Sequence, residues 1–330
     1  MQIWTSPLDI SPDFDRSVVT FGVYDGVHRG HRAVLTRAVD IGRELGWPVI
    51  VLTFDPHPAT VHRPEAHIRL VMSLQDRINR IETLGVDALY LQHYDAAYAR
   101  ATAAEFVRDQ LVGQLRASFV VVGHDARFGA GNTGDEAVLR RLGTELGFGV
   151  EIVGDRCDAA GERWSSTRVR AALATGDVAS AAQILGRPHR IHGTVVHGAR
   201  RGRELGFPTA NLSGDDLGEV PADGVYAGWL VRHIPGGTAE EYLPAAISVG
   251  TNPQFDGRER TVEAHVLGRS DLNLYGEPIS IDFVSRIRPM LTFGSVDELL
   301  ARIDLDVLET ADRLGVPPAG RVPPGSVQAS

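Results

Sequence analysis

Between Gly22 and His31 the chain reads Gly-Val-Tyr-Asp-Gly-Val-His-Arg-Gly-His, which gathers two histidines, an aspartate and three glycines in ten residues. An apolar run through Val18-Val19-Thr20-Phe21 precedes it, and Ala33–Val39 follows with helical apolar spacing. The cluster therefore falls at a strand-to-helix turn. The first N–H groups of a helix have no partner within it, and the helix dipole favours an anion there. Gly26 and Gly30 carry no Cβ and allow a ligand close to the backbone. His28 and His31 are three apart and share one face of a first helical turn. Tyr24 and Asp25 lie beside them. The pattern suits a phosphate site built without lysine; the plainer alternative is a structural turn.

Five other stretches carry reactive side-chain types. Asp55-Pro56-His57-Pro58 follows a strand-like run, and its prolines force an extended loop. Gly123-His124-Asp125-Ala126-Arg127-Phe128-Gly129 leaves another strand and, taken alone, is a polar loop. Ser165-Ser166-Thr167-Arg168 opens a helix and, taken alone, is an N-cap. Gly202-Arg203-Glu204-Leu205-Gly206-Phe207-Pro208-Thr209-Ala210-Asn211-Leu212 is a Gly-rich turn entering a strand. In Thr261-Val262-Glu263-Ala264-His265-Val266, strand alternation puts Thr261, Glu263 and His265 on one face. A strand glutamate is ordinarily only solvated surface.

The elements that must hold these residues alternate through the first half. Strands are expected at 18–23, 48–54, 87–91, 118–123 and 150–153, and helices at 32–45, 73–84, 102–115 and 135–146. Thr102 and Glu105 form a capping box. Continuous apolar strands interleaved with helices predict an α/β domain with a parallel sheet covered on both faces. Ligands in such sheets sit beyond the carboxyl ends of the strands, where the loops at 22–31, 55–58 and 123–131 all emerge. Ser165–Arg170 opens a short helix, and two more follow to Leu185-Gly186. Arg187-Pro188 marks the expected boundary between domains at 1–186 and 187–316. Beyond it, short strand-like segments at 193–196, 224–231, 243–249, 261–266 and 279–287 predict an antiparallel β-barrel. A terminal helix capped by Ser295 and Glu298 ends near Gly315, and 317–330 reads as a disordered tail.

Composition narrows the function. All 33 basic residues are arginine, so lysine-dependent P-loop, protein-kinase and Schiff-base chemistries are excluded. A net charge of −9 argues against non-specific nucleic-acid binding. No apolar run is long enough to span a bilayer, no secretory signal is evident, and the single cysteine, Cys157, forms no intrachain disulfide. The cytoplasm is expected, with no nucleic-acid or membrane partner and with room for a homo-oligomer.

His28-Arg29-Gly30-His31 resembles the His-x-Gly-His motif of nucleotidylyltransferases, and the longer string around it resembles the prokaryotic bifunctional riboflavin kinase/FMN adenylyltransferase (FAD synthetase) family. The family more commonly has Phe at the place of Tyr24 and an aromatic at that of Ala126. The resemblance runs from about residue 15 to 315 through several motifs in order. It implies a Rossmann-like domain that joins FMN to ATP, releasing pyrophosphate, and a barrel that phosphorylates riboflavin. His28 and His31 would then bind ATP phosphates with Gly22, Tyr24, Asp25, Gly26 and Gly30. Ser165, Ser166, Thr167 and Arg168 would form the second phosphate clamp, and Asp125 would contact the nucleotide. Asp55, Pro56, His57, Pro58 and Phe128 would line the flavin site. In the barrel, Gly202, Arg203, Gly206 and Pro208 belong to the ATP loop. Thr209 and Asn211, facing one side of a strand, would hold Mg²⁺ through hard oxygens. Glu263 would act as base on the ribityl hydroxyl. Asn252, Arg288, Pro289 and Phe293 would meet the flavin. Two rivals stand beside this reading. One is a nucleotidylyltransferase for another phosphorylated precursor with an inert barrel, against which Pro208–Asn211 and Glu263 argue. The other is a flavin-binding protein without turnover, against which His28, His31, Thr209, Asn211 and Glu263 argue.

Overall fold

A computed structural model describes residues 1–11, 14–66, 68–197, 205–213, 217–234, 239–251 and 260–321. The expected site residues Gly202, Arg203 and Asn252, and positions 322–330 of the expected tail, lie outside the described residues. The chain forms two compact units, one of 1–70 with 74–166 and one of 71–73 with 167–330.

The first unit is built on a six-stranded parallel sheet. Its strands are β1 (Gln2–Trp4), β2 (Ser17–Phe21), β3 (Val49–Asp55), β4 (Ala88–His93), β5 (Ala117–Gly123) and β6 (Gly149–Val153). Their order is β1-β4-β3-β2-β5-β6. The short edge strand β1 escaped the sequence reading because three residues carry no period. β2 is buried along its whole length, as a central parallel strand must be. The helices are α1 (Arg29–Leu45), α2 (Pro58–His62), α3 (Leu74–Glu82), α4 (Ala103–Glu105, continuing as a π-helix over Phe106–Gln114) and α5 (Glu136–Leu146). Gly46 ends α1 in the left-handed conformation at φ 69°. The capping box at Thr102 and Glu105 is formed, with both partners bonded. Phe106, Val107, Leu111 and Leu115 from this helix complete a core with Val19, Ile50, Leu52 and Val120 of the sheet.

The second unit starts with α6 (Ser166–Thr175) and α7 (Val178–Leu185). One helix follows α6 where two were expected. α6 runs unbroken for ten residues because Val169 and Leu173, one turn apart, are both fully buried. The barrel strands are β7 (His189–Val196), β8 (Ala210–Ser213), β9 (Gly224–His233), β10 (Glu240–Thr251), β11 (Arg260–Val266) and β12 (Pro278–Arg288). They close in the order β10-β11-β8-β7-β12-β9, every pair antiparallel. α8 (Val296–Leu314) packs Val307 and Ala311 against Phe207 and Leu267. Ser295 caps it as expected, accepting from the Glu298 N–H at 3.2 Å.

Candidate functional sites

In the first unit, β2 has β3 on one side and β5 on the other, and chain order reverses between β2 and β5. The loops leaving these three adjacent strands therefore open onto one crevice at the carboxyl edge. A cleft of about 780 Å³ lies there. Gly22, Tyr24, His28, Gly30, His31, His57, Pro58, Asp125 and Phe128 of the expected site line it. Asp25, Gly26, Asp55, Pro56, Ser165 and Ser166 belong to the same unit but are not among the lining residues, while Thr167 and Arg168 fall in the second unit.

The turn before α1 is tightly constrained. Gly26 adopts φ 83°, and Tyr24 and Val27 also sit in the left-handed region at 53° and 38°. Such non-glycine conformations are strained and persist where packing over-determines them. Tyr24 is buried, and its hydroxyl lies 2.6 Å from Thr20 Oγ1. Burial pushes that phenol well above its ordinary range. His28 is the N-cap of α1: its Nδ1 accepts from the His31 N–H at 3.2 Å. The two imidazoles stack with centroids 3.6 Å apart. A Cβ on residue 30 would lie 3.0 Å from His28 Cε1, so glycine keeps room for that ring. Ser166 Oγ donates to the Asp25 carbonyl at 2.8 Å, tying the expected clamp to the turn from behind.

His31 keeps part of its surface in the cleft while its Nδ1 is enclosed and makes no hydrogen bond among the described residues. Burial, helped by the neighbouring His28 and Arg163, holds its pKa well below the ordinary 6.5. It is therefore neutral at physiological pH. Asp125 is ion-paired to Arg163, which also lies 3.4 Å from Asp155. Phe128 packs edge-on against Phe21 with centroids 5.5 Å apart and tilts against Phe106.

Several lining residues were not read from the sequence. Tyr94 and Tyr98 pack 5.4 Å apart, and Phe54 lies 5.6 Å from Tyr94. Tyr94 directly follows β4, so the carboxyl-edge rule applied to that strand would have found it. Arg163 lacked a motif, since its partner is 38 residues away. Arg77 of α3 is nearly fully buried and donates to the Val23 carbonyl at 2.9 Å and the Phe54 carbonyl at 3.1 Å. It ties the loop after β2 to the end of β3.

In the second unit, β11 lies antiparallel to β8 with Glu263 directly opposite Asn211. Thr209 Oγ1 donates to Glu263 Oε2 at 3.3 Å, and Asn211 Nδ2 donates to Thr209 Oγ1 at 3.5 Å. Thr209 precedes β8, yet the three side chains meet on one face as alternation requires. His265, on the same face of β11, is covered by Phe207 at 5.4 Å, and its Nδ1 lies 2.9 Å from the Pro208 carbonyl. Burial lowers its pKa, partly offset by that carbonyl. Gly206 turns the chain here at φ 84°. Pro208 and Thr209 also edge a small cleft of about 50 Å³ with Ala264, Arg269 and Tyr275. Arg288 is turned to α8, its Nε and Nη2 on Asp306 at 2.6–3.0 Å, and its guanidinium stands 5.8 Å from the Phe293 ring. Its Nη1 donates to the Pro289 carbonyl at 3.1 Å.

Residues 10–168 match the FAD synthetase family and residues 185–314 the riboflavin kinase family. The bifunctional riboflavin kinase/FMN adenylyltransferase of Escherichia coli K12 is 38% identical over 91% of this chain and 93% of its own. That of Bacillus subtilis is 32% identical over 89% and 91%. A crystal structure from Streptococcus pneumoniae, described as a macrolide-efflux protein, superposes with a TM-score of 0.83 at 32% identity, covering 94% of this chain and 98% of that one. Two family matches in tandem, and relatives spanning nearly the whole chain, put this chain in the bacterial bifunctional riboflavin kinase/FMN adenylyltransferase family.

Proposed function

We propose that the family's two activities are divided along this chain, with FMN adenylyltransferase in 1–186 and riboflavin kinase in 187–316. The observation that carries this division is the assembly, in each part, of the side chains its own reaction needs. ATP, riboflavin and FMN are the substrates, and FAD is the final product.

In adenylyl transfer, an FMN phosphate oxygen attacks the α-phosphorus of ATP and the bond to the β-phosphate breaks. No covalent enzyme intermediate is needed, so positioning and charge stabilisation carry the catalysis. His28 Nδ1 accepts from a backbone N–H, which leaves its proton on Nε2 as a donor to phosphate. Neutral His31 supplies a second donor. Ser165, Ser166, Thr167 and Arg168 keep the role of the phosphate clamp by resemblance. Gly22, Tyr24, Asp25, Gly26 and Gly30 shape the turn. Arg163 orients Asp125 for the nucleotide. The aromatic wall of Phe54, Tyr94, Tyr98 and Phe128, with His57 and Pro58, suits the isoalloxazine, and Asp55 and Pro56 set that loop.

In phosphoryl transfer, Glu263 takes the proton of the ribityl hydroxyl as that oxygen attacks the γ-phosphorus of ATP, and the bond from that phosphorus to the β-phosphate oxygen breaks, releasing ADP. Thr209 occupies one carboxylate oxygen and the other is left for the substrate. The hydroxyl of Thr209 and the amide oxygen of Asn211 are the hard donors Mg²⁺ prefers, and Asn211 turns its nitrogen, not its oxygen, toward Thr209. When bound there, Mg²⁺ would neutralise charge on the nucleotide phosphates. Pro289 and Phe293 close on the flavin, with Arg288 and Asp306 anchoring their loop. The exposed thiol of the single cysteine, Cys157, suits a reducing cytoplasm.

The test is to incubate the protein with riboflavin, ATP and Mg²⁺ and separate the flavins over time. FMN is expected first, then FAD. Formation of neither by a folded protein would refute the reading.

A further inference from the structure

A second groove, of about 450 Å³, runs along the outer face of α1 beside the catalytic cleft. Arg29, Arg32 and Arg37 recur along that face with helical spacing, and Arg156 and Trp164 close the far side. The Trp164 N–H donates to the Arg156 carbonyl at 3.1 Å, which fixes these two side by side. The Arg29 guanidinium stacks over the Trp164 ring at 5.2 Å. Trp164 and Arg156 line the catalytic cleft as well, so the two spaces share a wall.

The charges in this groove do not cancel. Arg37 is neutralised by Glu151 at 2.6 and 3.0 Å and by Glu44 at 3.2 Å. Asp40 is paired with Arg43 at 3.2 Å. Arg29, Arg32 and Arg156 are exposed and, among the described residues, have no carboxylate within ion-pair distance. In a chain of net charge −9 these three unbalanced cations form a local anion trap. Arginine, planar and permanently charged, binds phosphate oxygens in pairs. Arg29 is the chain neighbour of His28, so the trap begins one residue from the phosphate site.

We propose that this groove receives the inorganic pyrophosphate released by adenylyl transfer, drawing it out of the cleft past Trp164. The proposal rests on the adenylyl-transfer reading above and adds a product site to it.

Arg32 belongs to the groove alone and is the residue to change. Arg32→Glu should raise the inhibition constant of added pyrophosphate against FAD formation about fivefold, the scale of an exposed ion pair removed and reversed. KM for FMN and for ATP should not move, and Arg32→Lys should recover most of the effect. Arg140→Glu, an equal charge change on the exposed face of α5, should do nothing. Unchanged pyrophosphate inhibition in Arg32→Glu would overturn the proposal. So would a parallel rise in the KM for ATP, which would assign the groove to bound ATP, or an equal effect of Arg140→Glu, which would assign it to bulk charge. Calorimetric titration with inorganic pyrophosphate alone reads the same loss without turnover. If the wild-type chain made no FAD, the adenylyl-transfer reading would fall, and this titration would still decide whether the groove binds pyrophosphate.

Discussion

The histidine turn before α1 and the Thr209–Asn211–Glu263 face of the barrel, both of which we propose to serve ATP, are made from different materials. The first is a strained loop and a helix N-terminus at the switch point of a parallel sheet, furnished with two stacked imidazoles, that of His31 neutral, and with arginines. The second is a patch of oxygen donors assembled by strand register. The difference follows the chemistry. Release of pyrophosphate needs donors aimed at departing charge, whereas attack by a sugar hydroxyl needs a base and a site for a hard cation.

That contrast can be broken variant by variant. Glu263→Gln should lower FMN formation from riboflavin by about a thousandfold, the range of a lost general base, while FAD formation from supplied FMN is retained. His28→Ala should do the reverse: a roughly hundredfold loss of FAD formation with FMN formation intact. If either variant lost both activities while folded, the two sites would not be independent. Asn211→Ala, which removes one hard donor, should raise the Mg²⁺ needed for half-maximal FMN formation about tenfold and leave adenylyl transfer alone.

A pH titration probes the histidines differently. His31 and His265 are both held below 6.5 in the folded protein. The unfolded chain therefore binds more protons below about pH 6.5, so stability is fully present above that pH and falls as pH drops through it. Chemical denaturation at pH 7.5 and 5.5 should show the loss, and His31→Asn should lessen it. The smallest expected effect is that of Tyr24→Phe. It removes the bond to buried Thr20 and should cost about 1 kcal/mol of stability with little change in KM for ATP.

Much of the site was readable because motifs and strand ends coincide. The loops at 22–31, 55–58 and 123–131 follow β2, β3 and β5, and those strands prove to be neighbours. The Thr209, Asn211 and Glu263 grouping needed only period-two alternation plus the pairing of two strands. What stayed hidden is tertiary. Arg77 reads as an ordinary helix arginine until its guanidinium is seen bonded to the loop after β2 and to the end of β3. Arg163 sits beside the Ser-rich helix start, but its meaning lies in Asp125, far away in the chain. The capping box at Thr102 announced a helix, yet apolar spacing gave no sign that it continues as a π-helix from Phe106.

The pairing of Glu263 with Asn211 makes the barrel its own inspector. Slide β11 by one residue against β8 and Val262 or Ala264 takes the place of Glu263, while the carboxylate swings into the apolar interior. A mis-registered barrel would thus be both unstable and inert. Under the proposed role of Glu263, correct strand pairing and the ability to phosphorylate riboflavin are gained together.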